Sequence, residues 1–352
     1  MSTPNPGPLC LLRLSALGDV THVLPVVHSL QAHWPGRALH WVIGKLEHKL
    51  VGALPGVRFH VYDKRGGRAA RRQLTREVAE ALHGGRFDDL LLMQLSLRAN
   101  LLSRALPARA RWGYDRARAK EGHGLFINRR IPAHPDGHVA QTLMRFATAL
   151  GATPRWDWSL PEAPADAQWA REAAPGDAPY VVISPCSSHE RRNWHVEGYA
   201  QLADHLASQH GLRVLLCGGP SALEREVAAA IAARMRQPSL NLVGQDTLPQ
   251  FLALLRRARL LVSPDSGPAH FGTVAGIPVL GLYAATDPQR SGPFHWRDYA
   301  ANAYPEAARR YRGREAGELR WGHKIEEAGV MDLLQPQAVI AAADRLLADT
   351  AA

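Results

Sequence analysis

Three short stretches carry the residues with chemistry to offer. In "LCLLRLSALGDVTHVLPVVHSL" a single acid, Asp19, follows Gly18 where an apolar run gives way to a helical pattern. Asp is strongly favoured at helix N-caps, so Asp19 reads as a cap. A carboxylate at a strand end also reads as a general base that takes a proton from a hydroxyl. A helix N-terminus favours negative charge, so the two roles combine in one residue. In "SPCSSHERRNWH", Ser187 and Ser188 offer hydroxyls and backbone N–H groups, and Arg191 and Arg192 offer cations, just ahead of a helical run. That set suits a phosphate; the alternative is a solvated charged loop. In "PDSGPAHFGTVAGIP", Asp265 ends an apolar run and Gly267 allows close approach of a ligand to the backbone. Pro268 starts a helix there, so Ser266 and Gly267 present N–H groups at its positive end. His270 lies one turn further on. Arg290 follows the next apolar run and is free to face a ligand, and Glu224 in "LLCGGPSALE" is either an acceptor for a ribose hydroxyl or a surface helix residue.

These residues sit where strands end. Apolar runs at 9–15, 38–43, 57–62, 87–94 and 109–113 alternate with helical patterns, notably 19–33 and 71–83. Near-continuous apolar strands alternating with helices imply a parallel sheet covered on both faces. The stretch 151–179, rich in Pro, Ala and Gly, reads as a linker with one short helix. Alternation then restarts, with strands at 180–185, 212–219, 240–244, 259–264 and 277–283. Helices are expected at 196–210, 221–235, 247–258, 268–275 and 336–349, the last following an irregular charged segment. The expectation is α/β architecture with two doubly wound units of similar size. Ligands of such sheets bind outside the C-terminal strand ends.

The chain has 352 residues, 46% of them hydrophobic, ample for two packed cores. No apolar run reaches the roughly 18 residues of a membrane span, and "MSTPNPGPLC" lacks the regions of a signal peptide, so a cytoplasmic location is expected. Cys10, Cys186 and Cys217 are far apart and read as buried, reduced thiols. The 17 histidines form no HExxH or CxxC-type cluster, so no metal is expected, and GxGxxG and P-loop fingerprints are absent. The formal charge of +10 is lopsided. Residues 1–165 carry 23 Lys and Arg against 12 Asp and Glu, and residues 166–352 carry 19 against 20. A basic half points to an anionic partner: nucleic acid, a membrane surface, or a substrate with carboxylates and phosphates; a merely Arg-rich surface is the alternative. The basic run 64–76 has no aromatic residue, which argues against stacking on RNA.

The pairing of "SALGDVTHVLP" with "SPDSGPAHFGTVAGIPVLGLYAATDPQRSGPF" resembles the lipopolysaccharide heptosyltransferases of glycosyltransferase family 9, and the similarity covers nearly the whole chain. The resemblance implies the glycosyltransferase-B fold, with two facing Rossmann-like domains and an interdomain cleft. Residues 1–165 would be the acceptor-binding domain and 166–334 the nucleotide-sugar domain, with a helix in 335–352 packing back toward the first. It implies inverting, metal-independent transfer of heptose from ADP-heptose to an anionic lipopolysaccharide core acceptor. No cofactor is implied; the ADP-sugar is the donor substrate.

Within that pattern Asp19 matches the base, and Ser187, Ser188 and Arg192 match the donor-phosphate contacts. Asp265, Ser266, Gly267 and His270 match the Asp-Ser/Thr-Gly-x-x-His motif. Glu224 matches a ribose-binding glutamate that in the family sits closer to the strand-end glycines. The segment 304–334 is longer and more basic than the family's. Gly18 and His22 flank the base on the acceptor side. Lys64, Arg65, Arg68, Arg98, Arg118 and Lys120 are the cations expected to meet the acceptor. The partners implied are the sugar donor, the core acceptor and the anionic leaflet of the inner membrane, touched peripherally from the cytoplasmic face. No nucleic acid is implied, and the oligomeric state is left open. Two other readings remain: a nucleotide-sugar 2-epimerase of the same architecture, and a non-enzymatic binder of anionic lipid or nucleic acid.

Overall fold

The computed structural model describes residues 6–135 and 137–351. Two compact units meet between Pro161 and Glu162, slightly ahead of the boundary expected at 165.

The first unit holds strands β1 (Leu9–Leu12), β2 (Leu39–Gly44), β3 (Val57–Tyr62), β4 (Phe87–Leu92), β5 (Ala108–Gly113) and β6 (Arg129–Arg130). They form one sheet in the order β3-β2-β1-β4-β5-β6, every pair parallel. β1 is central, pairing Leu9 with Leu39 on one side and Asp89 on the other, and all four of its residues are buried. A strand covered on both faces has no place for a polar side chain, which is why LCLL is apolar throughout. The strand order reverses between β1 and β4, so the chain leaves these two C-terminal ends in opposite directions and opens a crevice.

The helix expected at 19–33 is two helices, Leu17–Thr21 and Leu24–His33. Pro25 explains the break: it lacks an N–H and clashes with a preceding turn, but suits the start of a new helix. The expected helix at 71–83 starts earlier, as Gly67–Ala81.

The second unit repeats the winding. Its strands are β7 (Tyr180–Ile183), β8 (Arg213–Leu216), β9 (Ser239–Asn241), β10 (Leu260–Pro264), β11 (Val279–Tyr283) and β12 (Ala301–Asn302). Their order is β12-β11-β10-β7-β8-β9, again all parallel, with the reversal between β7 and β10. Helix Val196–His210 follows β7; His195 caps it through Nδ1, which accepts from Gly198 N–H at 2.9 Å, and Gly211 ends it at φ 64°. The last helix, Pro336–Asp349, was expected against the first domain. Its apolar face, Val339, Ala343, Leu346 and Leu347, is part of the core of the second unit, against helix Val196–His210 and β11. Among the described residues no helix is long and apolar enough to cross a membrane.

Candidate active site

Each unit gathers polar side chains at its own reversal point. In the first, β1 runs into Arg13, an isolated cation in an apolar strand and only 8% exposed. A buried guanidinium needs partners, and it has them: Nη1 donates to Met93 O and Nη2 pairs with Asp19 Oδ2, both at 2.5 Å. Burial alone would lower the pKa of Arg13, but the charge of Asp19 and the Tyr114 hydroxyl outweigh it and move it upward. Tyr114, buried beside them, is itself pushed up to about 12 by burial.

Asp19 is the third residue of its helix; Ala16 holds the N-cap position and donates its N–H to Asp19 Oδ2 at 3.2 Å. Asp19 therefore does the work of a cap from inside the helix, while its side chain keeps 38% exposure. The turn itself is fixed from β4: Leu14 N–H donates to Gln94 Oε1 (2.7 Å), and Gln94 Nε2 donates to Ser15 Oγ (3.2 Å). At Gly44, on the end of β2, a Cβ would lie 2.3 Å from Leu14 O, so only glycine permits this approach.

A cavity of about 350 Å³ opens at this reversal point, its lining including Ser15, Gln94, Lys64, Arg98 and Glu121. Lys64 is held at it by Glu47, a carboxylate 3% exposed and 2.7 Å from Nζ. Of the expected acceptor-side cations, Lys64 and Arg98 are thus brought together, and Arg65, Arg68 and Lys120 lie on exposed surface. Arg118 and His22, the one a cation and the other a neighbour of the expected base, are buried in this structure. Arg118 is 6% exposed, paired with Asp115 (2.7 Å) and donating to the carbonyls of His134 and Pro135, so it ties a loop together. His22 is 1% exposed with its ring edge-on to His138. Gly18 is buried, its carbonyl accepting from Thr21 Oγ1.

In the second unit the same position is built around Arg192, 8% exposed. Nη1 lies 3.1 Å from Asp265 Oδ2, and Nη2 and Nε donate to Glu326 Oε1 at 2.8 and 3.2 Å. Thr286 Oγ1 also donates to Asp265 Oδ2 (2.8 Å), and Ser187 Oγ donates to the Asp265 carbonyl (3.0 Å). Hydrogen bonds from Arg192 hold the Glu326 carboxyl below the usual carboxylate range. Ser266 is the N-cap of helix Gly267–Ala275, and its hydroxyl shares a 2.8 Å hydrogen bond with Ser263 Oγ. Ser188 is exposed on the loop after β7, and His270 is buried inside the helix at 7% exposure. Arg290, expected free, lies over the ring of Trp321 at 4.5 Å.

Glu224 reaches back to the strand end. Gly219 N–H donates to its Oε1 (2.8 Å) and Ser221 Oγ to its Oε2 (2.6 Å), so the helix closes the longer spacing in sequence. Near it, burial first and the charge of Glu224 second push Asp246 up to about 7. The three cysteines are buried and unpaired, with Cys186 pushed up to about 11 by burial, so none is a ready nucleophile.

Two six-stranded parallel units of this winding are the architecture of the glycosyltransferase-B fold. The structure superposes on a family 9 glycosyltransferase of Veillonella parvula with a TM-score of 0.82 at 20% identity, covering 99% of both chains. It also superposes on the ADP-heptose LPS heptosyltransferase II of Escherichia coli at 0.74 and 19%, covering 98% of this chain and 100% of the other. Residues 75–318 match the model of glycosyltransferase family 9 (heptosyltransferase), and the chain belongs to that family. It is 36% identical to the lipopolysaccharide core heptosyltransferase OpsX of Haemophilus influenzae, over 96% of each chain. It is 29% identical to lipopolysaccharide heptosyltransferase 1 of Pseudomonas aeruginosa, over 81% of this chain and 80% of the other.

Proposed function

We propose that this enzyme moves a heptose from ADP-heptose to an anionic inner-core lipopolysaccharide acceptor, inverting the anomeric centre, with Asp19 as general base. Support for the substrates comes from the relatives whose names carry them. The observation that carries the chemistry is the Arg13–Asp19 pair: a buried guanidinium fixes an exposed carboxylate at the crevice of the first unit. An ionised, oriented carboxylate is ready to take the acceptor's hydroxyl proton as that oxygen attacks the anomeric carbon. Opposite the attack the bond to ADP breaks, and negative charge grows on the diphosphate. Arg192, the Ser187–Ser188 loop and the N–H groups at Ser266–Gly267 answer that charge without reorganising. Glu224, already turned to the strand-end glycines, is the group for the ribose.

On the acceptor side, Lys64 and Arg98 in the cavity, with Arg65, Arg68 and Lys120 outside it, meet the carboxylates and phosphates of the core. The same cations draw the enzyme to the anionic cytoplasmic leaflet, at about 1 kcal/mol each. The reading assigns the acceptor to the first unit and the donor to the second.

The test is Asp19→Asn. Turnover should fall by about 10²–10⁴-fold, with ADP affinity within about twofold of the parent. Undiminished turnover would return Asp19 to a purely capping role. Sugar release that does not depend on acceptor would favour the epimerase reading.

A further inference from the structure

The far end of helix Val196–His210 and the middle of the last helix bring together three side chains that the transfer reaction does not use. His205 Nε2 and His210 Nε2 each lie 2.7 Å from one and the same oxygen, Asp344 Oδ1. Asp344 is 134 residues beyond His210, so folding alone makes this meeting. The rings stand 5.6 Å apart at 65°, and the three ligand atoms fall within 4.8 Å of one another. Their side chains are 23%, 30% and 43% exposed, which admits an ion and leaves room for water beside it. Burial would raise the Asp344 pKa, but hydrogen bonds from both histidines outweigh it and keep the acid ionised to lower pH than usual.

Two imidazole nitrogens and one carboxylate oxygen are the donor set of zinc, cobalt and nickel; magnesium and calcium take oxygen. Bonds of about 2.0–2.2 Å to a tetrahedral ion place neighbouring ligand atoms roughly 3.4 Å apart. The 2.7 Å contacts seen here reach that spacing by opening about 0.7 Å, within a rotation of exposed side chains.

We propose that His205, His210 and Asp344 form a binding site for a zinc-class divalent cation, with water completing its shell. The ion staples the C-terminal end of helix Val196–His210 to the last helix, whose other face, with Val339 and Ala343, lies in the core of the second unit. The donor loop enters at the opposite end of that 15-residue helix, about 20 Å away. The ion therefore acts on stability and does not touch the reacting phosphate.

The experiment uses the full chain stripped of metal. Zinc titrated by calorimetry should bind one-to-one and raise the melting temperature, and cobalt should give the visible absorption of a low-coordinate site. His210→Ala and Asp344→Ala should each weaken zinc at least about tenfold and remove the cobalt band, with transfer rates of the metal-free proteins unchanged. His205→Gln, which preserves bulk, should behave as His210→Ala does, separating ligand loss from helix loosening. Zinc affinity equal to the parent's in these variants would overturn the site. So would the absence of a zinc-dependent melting shift, or an equal shift with magnesium.

Discussion

The two reversal points share one frame and surround a buried guanidinium with different numbers of acids. In the first unit one guanidinium meets one carboxylate, and the acid is the outer partner: Asp19 is 38% exposed against 10% for Arg13. In the second unit one guanidinium meets two carboxylates, an inner Asp265 at 13% and an outer Glu326 at 35%. The strand order and the parallel pairing are the same in both. The difference teaches that winding supplies only a place. What differs at the place is how many acids the buried cation meets, one in the first unit and two in the second. On the proposed reading the exposed acid of the first unit, backed by its buried cation, is the group that accepts a proton. On the proposed reading the buried cation of the second unit, held by Asp265 and covered by Glu326, is the group that meets the donor's diphosphate.

Breaking the cation in the second unit gives the largest effect after loss of the base. Arg192→Ala should lower kcat/KM for the donor by about 10²–10³-fold, through both terms, with little change in acceptor KM. Arg192→Lys should recover part of the rate, since it keeps the charge and loses the fork. Initial rates with each substrate varied in turn decide the matter; a loss confined to acceptor KM would erase the contrast between the two units.

A smaller effect of opposite sign tests the cover. Glu326 occupies two of the three Arg192 nitrogens, so a diphosphate must compete with it. Glu326→Gln should tighten ADP by roughly threefold to tenfold, the scale of a partly exposed ion pair. Weaker ADP binding in that variant would make Glu326 a support for Arg192.

The frame was far more legible in the sequence than the pairs that give it function. β1, β2, β4, β7, β8, β10 and β11 stand out because both faces of a central parallel strand are buried, whereas β3, an edge strand, and β5 keep partly exposed positions. β6 and β12 are two-residue edge strands with no such pattern. No expectation covered helix Val139–Ala149, although its buried Leu143, Met144, Phe146 and Ala147 keep helical spacing. Asp19, Arg192 and Asp265 draw attention in the sequence because they lie on segments that follow apolar runs. Arg13 had a signal that went unused: a lone cation inside an apolar strand must be paired. Glu326 had none, since it reaches Arg192 from 134 residues away. Residue type alone placed His22 and Arg118 among the expected ligand contacts, and both are buried in this structure. The metal-type cluster is invisible to motif spacing for the same reason as Glu326.

The smallest predicted effect concerns Asp246, the neighbour of Glu224. Its carboxyl is pushed up to about 7, chiefly by burial. An unfolded Asp releases its proton near pH 4. Between about pH 4 and 7 the folded chain therefore holds a proton that the unfolded chain has lost, and stability falls as pH rises through that window. Above pH 7 the folded carboxylate is ionised and the full cost is present. Asp246→Asn removes this dependence: its melting temperature relative to the parent should rise from pH 4, where the two are nearly equal, by about 2–4 °C or more at pH 8. The informative quantity is the difference between variant and parent at each pH. A constant difference from pH 5 to 8 would show that Asp246 is ionised throughout. The strand end beside Glu224 would then tolerate two neighbouring negative charges, and the contrast in charge between the two units would be larger than Arg192, Asp265 and Glu326 alone make it.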